Sequence, residues 1–186
     1  MANKDAAFGL KAIGKVGQNR DNQGLSEYSI AASSTAIFQN DPVKMANTGE
    51  VEVAAAGDVL LGALTGVFFT DASTSKPTFA NHLKGSNTAT DIVGFVVDDP
   101  YERFEVQSAG TPAQTNIGNC ADISYTAGAS PNFVSKVESS GTMANTTAQL
   151  KIIGVSKDPS NNELGSANAN LVVTINEHFL KQEAGI

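Results

Sequence analysis

The sequence has no tryptophan, three tyrosines and one cysteine, Cys120. A single cysteine excludes an intramolecular disulfide and a cysteine-rich metal site, and we expect Cys120 to be a small packing residue. Only 6% of the residues are aromatic. The core must therefore be built from Val, Ile, Leu and the nine phenylalanines.

Basic residues are also few, because 12 Lys and Arg face 19 Asp and Glu and give a net charge of −7. That charge repels nucleic-acid backbones and anionic membranes. The chain has no run of about 18 apolar residues and no basic segment followed by an apolar one near its start. We therefore expect a soluble protein made in the cytoplasm, with neither nucleic acid nor membrane as a partner.

Motifs for catalysis are missing as well. His82 and His178 lie far apart in sequence and no nucleophile motif accompanies them. No glycine-rich phosphate loop is present. The acidic residues Asp98, Asp99, Glu102 and Glu105 form the best candidate for a hard-cation site, yet they lack the spacing of a calcium loop. We expect no enzyme, no cofactor and no bound metal.

What the sequence does contain is a set of short apolar runs interrupted by glycine. The run at 57–69 organises the chain, and similar runs return at 91–100 and 150–159, each stopped by an acidic residue and proline. Glycine inside an apolar strand marks a bulge, a bend or a close backbone approach. The glycines that we assign as structural in these core strands are Gly57, Gly62, Gly66, Gly94 and Gly154.

Turn signals about every ten residues separate nine to eleven predicted strands, and no long amphipathic helix interrupts them. This pattern predicts an all-β fold, either a compact β-barrel or a β-sandwich, with long polar loops. We assign residues 25–186 to a single β domain, in which the polar insertions at 70–90 and 126–147 could form a small extra lobe.

Residues 1–24 are predicted to form an extended N-terminal arm, because their glycines disfavour a helix. One interpretation is a solvated terminus. The other is a basic arm that binds a partner through Phe8, Leu10, Lys11 and Arg20, so that deletion of residues 1–20 would abolish binding and leave the β domain folded. The alternating segment at 50–53 is a second candidate surface, as an edge strand that a partner's sheet could extend.

Five segments carry a family resemblance: 1–11 (MANKDAAFGLK), 57–66, 99–107, 150–162 and 171–178. They resemble small structural proteins that are encoded near the major capsid gene of tailed bacteriophages. More distantly, the chain is similar to the head decoration, or cement, proteins of the lambda type. The resemblance implies a β-tulip-like compact β domain.

The resemblance further implies a non-enzymatic viral structural protein on the outside of the virion. It would bind the major capsid protein on an icosahedral head and stabilise the capsid as a homo-oligomer, with a trimer favoured over a dimer. Two alternatives stay open at this stage. One is a tail or head-fibre component, and the other is a carbohydrate-binding module or a β-barrel hydrolase.

Overall fold

The computed structural model describes residues 2–17, 25–32 and 34–181, and these residues form an all-β fold of antiparallel sheets, as the sequence predicts. The sheets are open in this part of the chain, and their arrangement is consistent with a β-sandwich. The strands are β1 (Lys11–Lys15), β2 (Ser26–Ser29), β3 (Pro42–Met45), β4 (Val51–Val53), β5 (Gly62–Thr70), β6 (Pro77–Ala80), β7 (Val93–Val97), β8 (Glu102–Gln107), β9 (Cys120–Ala121), β10 (Ile123–Ser124), β11 (Glu138–Ser139), β12 (Leu150–Val155) and β13 (Asn170–Ile175).

A five-stranded sheet in the order β1-β8-β13-β12-β9 forms one layer. Its strands alternate as half-buried strands do: Leu150 and Ile152 of β12 are buried, whereas Lys151 between them is exposed. The buried face is centred on Phe104, whose side chain is fully buried, and it forms the first hydrophobic core.

A six-stranded sheet forms the second layer, in the order β2-β7-β5-β3-β4 with β6 also paired to β5. Near one end of β5 this sheet contributes Ala63 to the first core, and Val97 packs against that core. The opposite face carries Leu64, Val67 and other apolar residues that form a second hydrophobic core under the connecting loops. A further pair of strands, β10 and β11, adjoins the first core, to which β10 contributes Ile123.

The glycine-interrupted runs are β5, β7 and β12, which confirms that they are core strands. The strand registers shift between Leu64 and Gly66 and between Ile152 and Gly154, where bulges were expected. Gly62 marks a close approach instead, because a Cβ on it would lie 2.0 Å from the Val97 carbonyl oxygen. The assignment of Gly57 to a core strand is wrong: it lies in an exposed turn before β5, with φ of +84°.

Gln149 connects that turn to the core. This fully buried side chain donates from Nε2 to the carbonyls of Ala55 and Asp58, each at 2.8 Å, and accepts from the Ile123 backbone N–H at 3.0 Å. All the hydrogen-bonding groups of the buried amide are therefore occupied, which is the condition for burying it without loss of stability.

The polar insertions add little regular structure. Residues 71–76 form a hairpin turn between β5 and β6, so this insertion is a hairpin on the six-stranded sheet. In the insertion at 126–147, the described regular structure is the short strand β11, Glu138–Ser139. After β13 the described chain ends in a single 3-10 turn, Phe179–Lys181.

The N-terminal segment packs along the body. Residues 2–10 run extended along it and lead into β1, which is the outermost strand of the five-stranded sheet. Two buried amides hold the segment: Asn161 bonds both the N–H and the carbonyl of Lys4, and Gln107 bonds the Lys4 carbonyl and the Ala6 N–H. The described part of the predicted arm is thus built into the fold.

Candidate functional site

The four residues assigned to the binding arm lie in different environments. Leu10 is fully buried in the first core, so its side chain is not available to a partner and that assignment needs correction. Phe8 is half-buried, and its carbonyl accepts a hydrogen bond from Asn40 Nδ2 at 3.0 Å. Lys11 is exposed on β1. Arg20 lies outside the described residues.

Backbone geometry explains why Leu10 turns inward. Gly9 has φ of +75°, a conformation that side chains disfavour, and a Cβ there would lie 2.3 Å from the Asn40 carbonyl oxygen. The Leu10 N–H donates to the same carbonyl at 2.9 Å. The close passage of the chain at Gly9 therefore directs the next side chain into the core. An apolar residue beside a lysine fits a core or a surface, so the local sequence does not predict that Leu10 is buried.

The outer face of the five-stranded sheet carries three basic residues. Lys11 and Lys151 are exposed, whereas Arg103 is half-buried and its guanidinium donates to the Lys15 carbonyl. Arg103 pairs across the sheet with Thr174, which pairs with Lys151, so both basic residues lie on one row across β8, β13 and β12. Lys11 of β1 lies on the same sheet, across from Glu105 of β8. We call Lys11, Arg103 and Lys151 the basic face.

Apolar side chains accompany the basic face. Ile13 of β1 and Ile153 of β12 are 47% and 38% exposed. The basic face spans the four strands from β1 to β12, which at about 4.8 Å spacing make it roughly 14 Å wide. Such a mixed surface, on a chain with net charge −7, is suited to bind a broad acidic or neutral protein surface.

The carboxylates of the candidate acidic cluster are engaged within the fold. Each carboxylate has its own partner: the Tyr28 hydroxyl for Asp98, the Lys15 ammonium for Asp99, the Gly14 N–H for Glu102 and the Asn170 amide for Glu105. Within the described ranges, no group of three or more His, Cys, Asp or Glu side chains is arranged to hold a metal ion. These carboxylates instead fasten β1, β2 and the start of β13 to their neighbours.

The His82 ring packs against aromatic side chains. Its ring stacks on Phe133 with centroids 3.9 Å apart and an angle of 3° between planes, and Phe38 stacks beside it at 6.3 Å. Burial and the nearby Lys84 lower the pKa of His82, which favours the neutral imidazole. The stack attaches the loop at 126–134 to the six-stranded sheet. Cys120 is half-buried in β9 and unpaired, and its backbone bonds Ala144.

His178 is completely buried where the chain returns to Leu60. Its Nδ1 accepts the Leu180 N–H at 3.1 Å, and its Nε2 has no partner within the described residues. Burial, with a further contribution from Lys181, lowers the pKa of His178 to about 4 against the opposing effect of Asp98 and Asp99. His178 and His82 therefore lie apart in the fold and do not form a pair.

Asp41 is a fully buried carboxyl between the two cores. One oxygen accepts the Phe38 N–H at 2.8 Å, and the other, Oδ1, is buried without a hydrogen bond to the described residues. Burial raises the pKa of Asp41 to about 6, although the neighbouring Ser135 and the Phe38 N–H favour the charged form. Part of the protein's stability is thus coupled to the protonation of one interior carboxyl.

Asp41 and His178 should give opposite pH dependences to the free energy of unfolding. On unfolding, Asp41 returns from a pKa of about 6 to 3.8 and releases its proton, so this group stabilises the fold increasingly as pH falls from 7 to 4. His178 returns from about 4 to 6.5 and takes up a proton, so it destabilises the fold over the same range. The two effects should largely cancel in the parent protein.

We therefore expect Asp41→Asn, which keeps the acceptor for Phe38, to be more stable than the parent protein at pH 8 by about 3 kcal/mol and to lose this advantage near pH 4. Urea denaturation at a series of pH values measures this. Asp5→Asn, at an exposed carboxylate, is the control. An Asp41→Asn advantage that does not change with pH would contradict the coupling.

A second surface, formed by three phenylalanines, was not predicted from the sequence. Phe68 of β5, Phe79 of β6 and Phe95 of β7 form an aromatic patch on the six-stranded sheet. Ring centroids lie 4.8 Å apart for Phe68 and Phe79 and 6.3 Å apart for Phe79 and Phe95. The Phe79 side chain is 75% exposed. The sequence signal was weak, since Phe79 stood as an isolated aromatic in a polar segment.

A small cavity of about 110 Å³ lies between β4 and the segment at 34–37. Val51, Val53 and Ile37 are among the residues that line it. Pockets for small organic ligands usually have volumes of about 300 Å³ or more. No helix among the described residues has the length and apolar character needed to cross a membrane.

Comparison of the chain with protein-family models, with curated proteins and with solved structures gave no match. The surfaces described above are therefore interpreted on their own geometry.

Proposed function

We propose that this chain is a structural virion protein that binds the outer surface of an icosahedral phage head and stabilises the capsid as a decoration protein. The observation that carries the proposal is the basic face. It presents exposed Lys11 and Lys151, with half-buried Arg103 between them and exposed isoleucines, on a hydrogen-bonded sheet, whereas the chain as a whole is acidic. The family resemblance of the sequence supports the same function.

A sheet face is a suitable place for such contacts. Its backbone is fixed by ladder hydrogen bonds on both sides of β8, β13 and β12, so little conformational entropy is lost when the face binds. One interface of this kind is modest in strength. On a shell, many copies bind symmetry-related positions, and contacts that link several subunits add through avidity. The net negative charge of the body would keep free copies soluble and away from packaged DNA.

The segment before the basic face has a supporting role in this proposal. Residues 2–10 are fastened to the body by Asn161 and Gln107, and they position Lys11 at the edge of the sheet. The capsid-binding surface is therefore proposed to be the basic face and not a free arm. The partner is the major capsid protein, and the proposed location is the exterior of the virion.

The proposal is tested by cosedimentation with DNA-filled heads of the phage that encodes the chain, stripped of this protein. We expect saturable binding in a fixed ratio to the major capsid protein. The double substitution Lys11→Glu and Lys151→Glu should weaken binding at least about tenfold, because two attractive charges become repulsive. Both residues are exposed, so unfolding midpoints should change little.

The matched control is Lys84→Glu with Lys136→Glu, which makes the same change in net charge at exposed positions outside the five-stranded sheet. This control should bind heads nearly as well as the parent protein. An absence of saturable binding by the parent protein would overturn the proposed function. Equal weakening by the two double variants would overturn the assignment of the basic face, since net charge alone would then explain the effect.

A further inference from the structure

The aromatic patch continues a face that is interior elsewhere in the six-stranded sheet. The strand registers place Ala63 across from Val97, and Gly66 across from Phe95, on one side of this sheet. Ala63 is buried in the first core, and Val97 packs against it. The five-stranded sheet therefore covers one end of the face and leaves the end with the phenylalanines in contact with water. Contiguous apolar surface of this kind marks an interaction site.

The three rings form one continuous surface. Phe79 on β6 and Phe95 on β7 belong to strands on opposite sides of β5, which at normal strand spacing are about 9.6 Å apart. Their ring centroids are nevertheless only 6.3 Å apart, and the ring planes differ by 16°. The rings can approach each other in this way because Gly66 of β5, the partner of Phe95, has no side chain. Phe68 extends the surface toward the β5–β6 turn.

The charge that accompanies these rings is negative. The strands that carry this part of the face are β2, β7, β5 and β6, and the only charged residue within these four strands is Glu27 of β2. Glu27 is exposed and pairs directly across from Phe95. Directly paired residues of antiparallel strands project from the same face of a sheet, so the Glu27 side chain borders the aromatic patch.

The charged residues that precede the strands do not change this sign. Pro77 and Phe79 share the aromatic side of β6, because side chains alternate along a strand, and Lys76 is therefore directed to the opposite side. Before β7, the exposed Asp91 carboxylate accepts the Thr70 N–H at 3.0 Å. Hydrogen bonds from Thr70 lower the pKa of Asp91, so this carboxylate is charged at neutral pH. The patch is thus aromatic with an acidic border.

An aromatic surface with an acidic border is complementary to a cationic group. The face of an aromatic ring carries negative charge density and attracts a cation that lies within about 6 Å of its centroid. Arginine suits such a surface better than lysine, because its planar guanidinium stacks on a ring while its N–H groups donate to a carboxylate such as Glu27. The Phe79 side chain, 75% exposed, is the ring most accessible for this contact. The aromatic patch of a second copy would bring carboxylates of like charge together.

We propose that the aromatic patch binds a polypeptide segment of another protein that presents arginine beside apolar side chains. The guanidinium stacks on Phe79 and donates to Glu27, and the apolar neighbours of the arginine contact Phe68 and Phe95. Binding occurs through the face of the sheet, because proline at the start of β6 opposes the addition of a strand at that edge. This activity goes beyond the proposed capsid function and does not depend on it, since the free chain binds the segment without heads.

The test is an NMR titration of the isotope-labelled full chain with the synthetic peptide acetyl-Gly-Arg-Leu-Arg-Gly-amide. The matched peptide has glutamine in place of both arginines. We expect saturable shifts of the backbone amides of Glu27, Phe79 and Phe95, with a dissociation constant at least about tenfold lower for the arginine peptide. Equal affinity for the two peptides, or no saturable shift at these amides, would overturn the proposal.

Substitutions at the patch separate the two contacts. Phe79→Ser should raise the dissociation constant of the arginine peptide at least about tenfold, and Glu27→Gln should raise it about threefold. Phe79→Leu keeps an apolar side chain without a ring, so it should reduce the preference for the arginine peptide over the glutamine peptide.

The matched controls are Tyr101→Ser and Asp5→Asn, at exposed positions outside the six-stranded sheet, and both should leave the affinity unchanged. Urea midpoints verify that all variants fold. Sedimentation velocity of the chain alone tests whether a second copy occupies the patch instead. Self-association that Phe79→Ser abolishes, a preference for the arginine peptide that Phe79→Leu leaves unchanged, or equal effects of the patch and control substitutions would each overturn the proposal.

Discussion

Removal of the N-terminal segment is expected to destabilise the whole β domain, contrary to the expectation that residues 1–20 could be deleted without loss of the fold. The deletion would take away Leu10 from the first core and β1 from the edge of the five-stranded sheet. It would also leave the buried amides of Asn161 and Gln107 without several hydrogen-bond partners. Each unsatisfied buried group costs about 1–3 kcal/mol.

The single substitution Leu10→Ala isolates the packing contribution. Truncation of a fully buried leucine costs about 2–5 kcal/mol, depending on how far the cavity collapses. Lys11→Ala, at the next and exposed position, should change the free energy of unfolding by less than about 0.5 kcal/mol. Urea denaturation at neutral pH measures both. A deletion variant or Leu10→Ala variant with the parent midpoint would mean that the segment is not part of the cooperative fold.

The second large effect is expected at Gly62. A Cβ at this position would lie 2.0 Å from the carbonyl oxygen and 2.8 Å from the carbonyl carbon of Val97, and both are backbone atoms that a side-chain rotation cannot move. Gly62→Ala must therefore separate β5 from β7, which are hydrogen-bonded neighbours at the centre of the six-stranded sheet. We expect a loss of more than about 3 kcal/mol or failure to fold.

Gly154 is the matched control, because it interrupts β12 in the same sequence pattern but a Cβ there would meet nothing within 4 Å. Gly154→Ala should leave stability unchanged or raise it by up to about 1 kcal/mol, since alanine restricts the unfolded chain. Thermal and urea unfolding of the two variants side by side make the comparison. Similar effects of the two substitutions would contradict the close approach at Gly62.

Gly62 and Gly154 also show what the glycine pattern in the sequence predicts and what it does not predict. Three apolar runs broken by glycine, two of them stopped by an acidic residue with proline, predicted core strands. The structure has β7 and β12 within two of those runs and β5 from Gly62 onward. The pattern could not separate glycines that form a bulge from one that permits close contact. Bulges arise from the strand itself, whereas the contact at Gly62 depends on β7, about thirty residues later.

The sequence predicts the strands better than it predicts which residues share a surface. Lys11 was predicted to belong to a binding arm and is exposed on β1. Arg103 and Lys151 come from strands far apart in the chain and join it only through the order β1-β8-β13-β12. The aromatic patch likewise combines three strands. Leu10, in contrast, was predicted to lie at a surface and is buried, because Gly9 brings the chain close to Asn40. Charge and periodicity act locally, and neither specifies which strands become neighbours.

The sequence by itself determined the all-β class, the core strands and the acidic character of the chain, because side-chain alternation, turn residues and charge are properties of short segments. Only the tertiary structure decided that the N-terminal segment is built into the body, that basic residues share one sheet face, and that three phenylalanines meet at the surface. These features depend on strand order and register, which are fixed by long-range packing and by the hydrogen-bonding needs of buried groups.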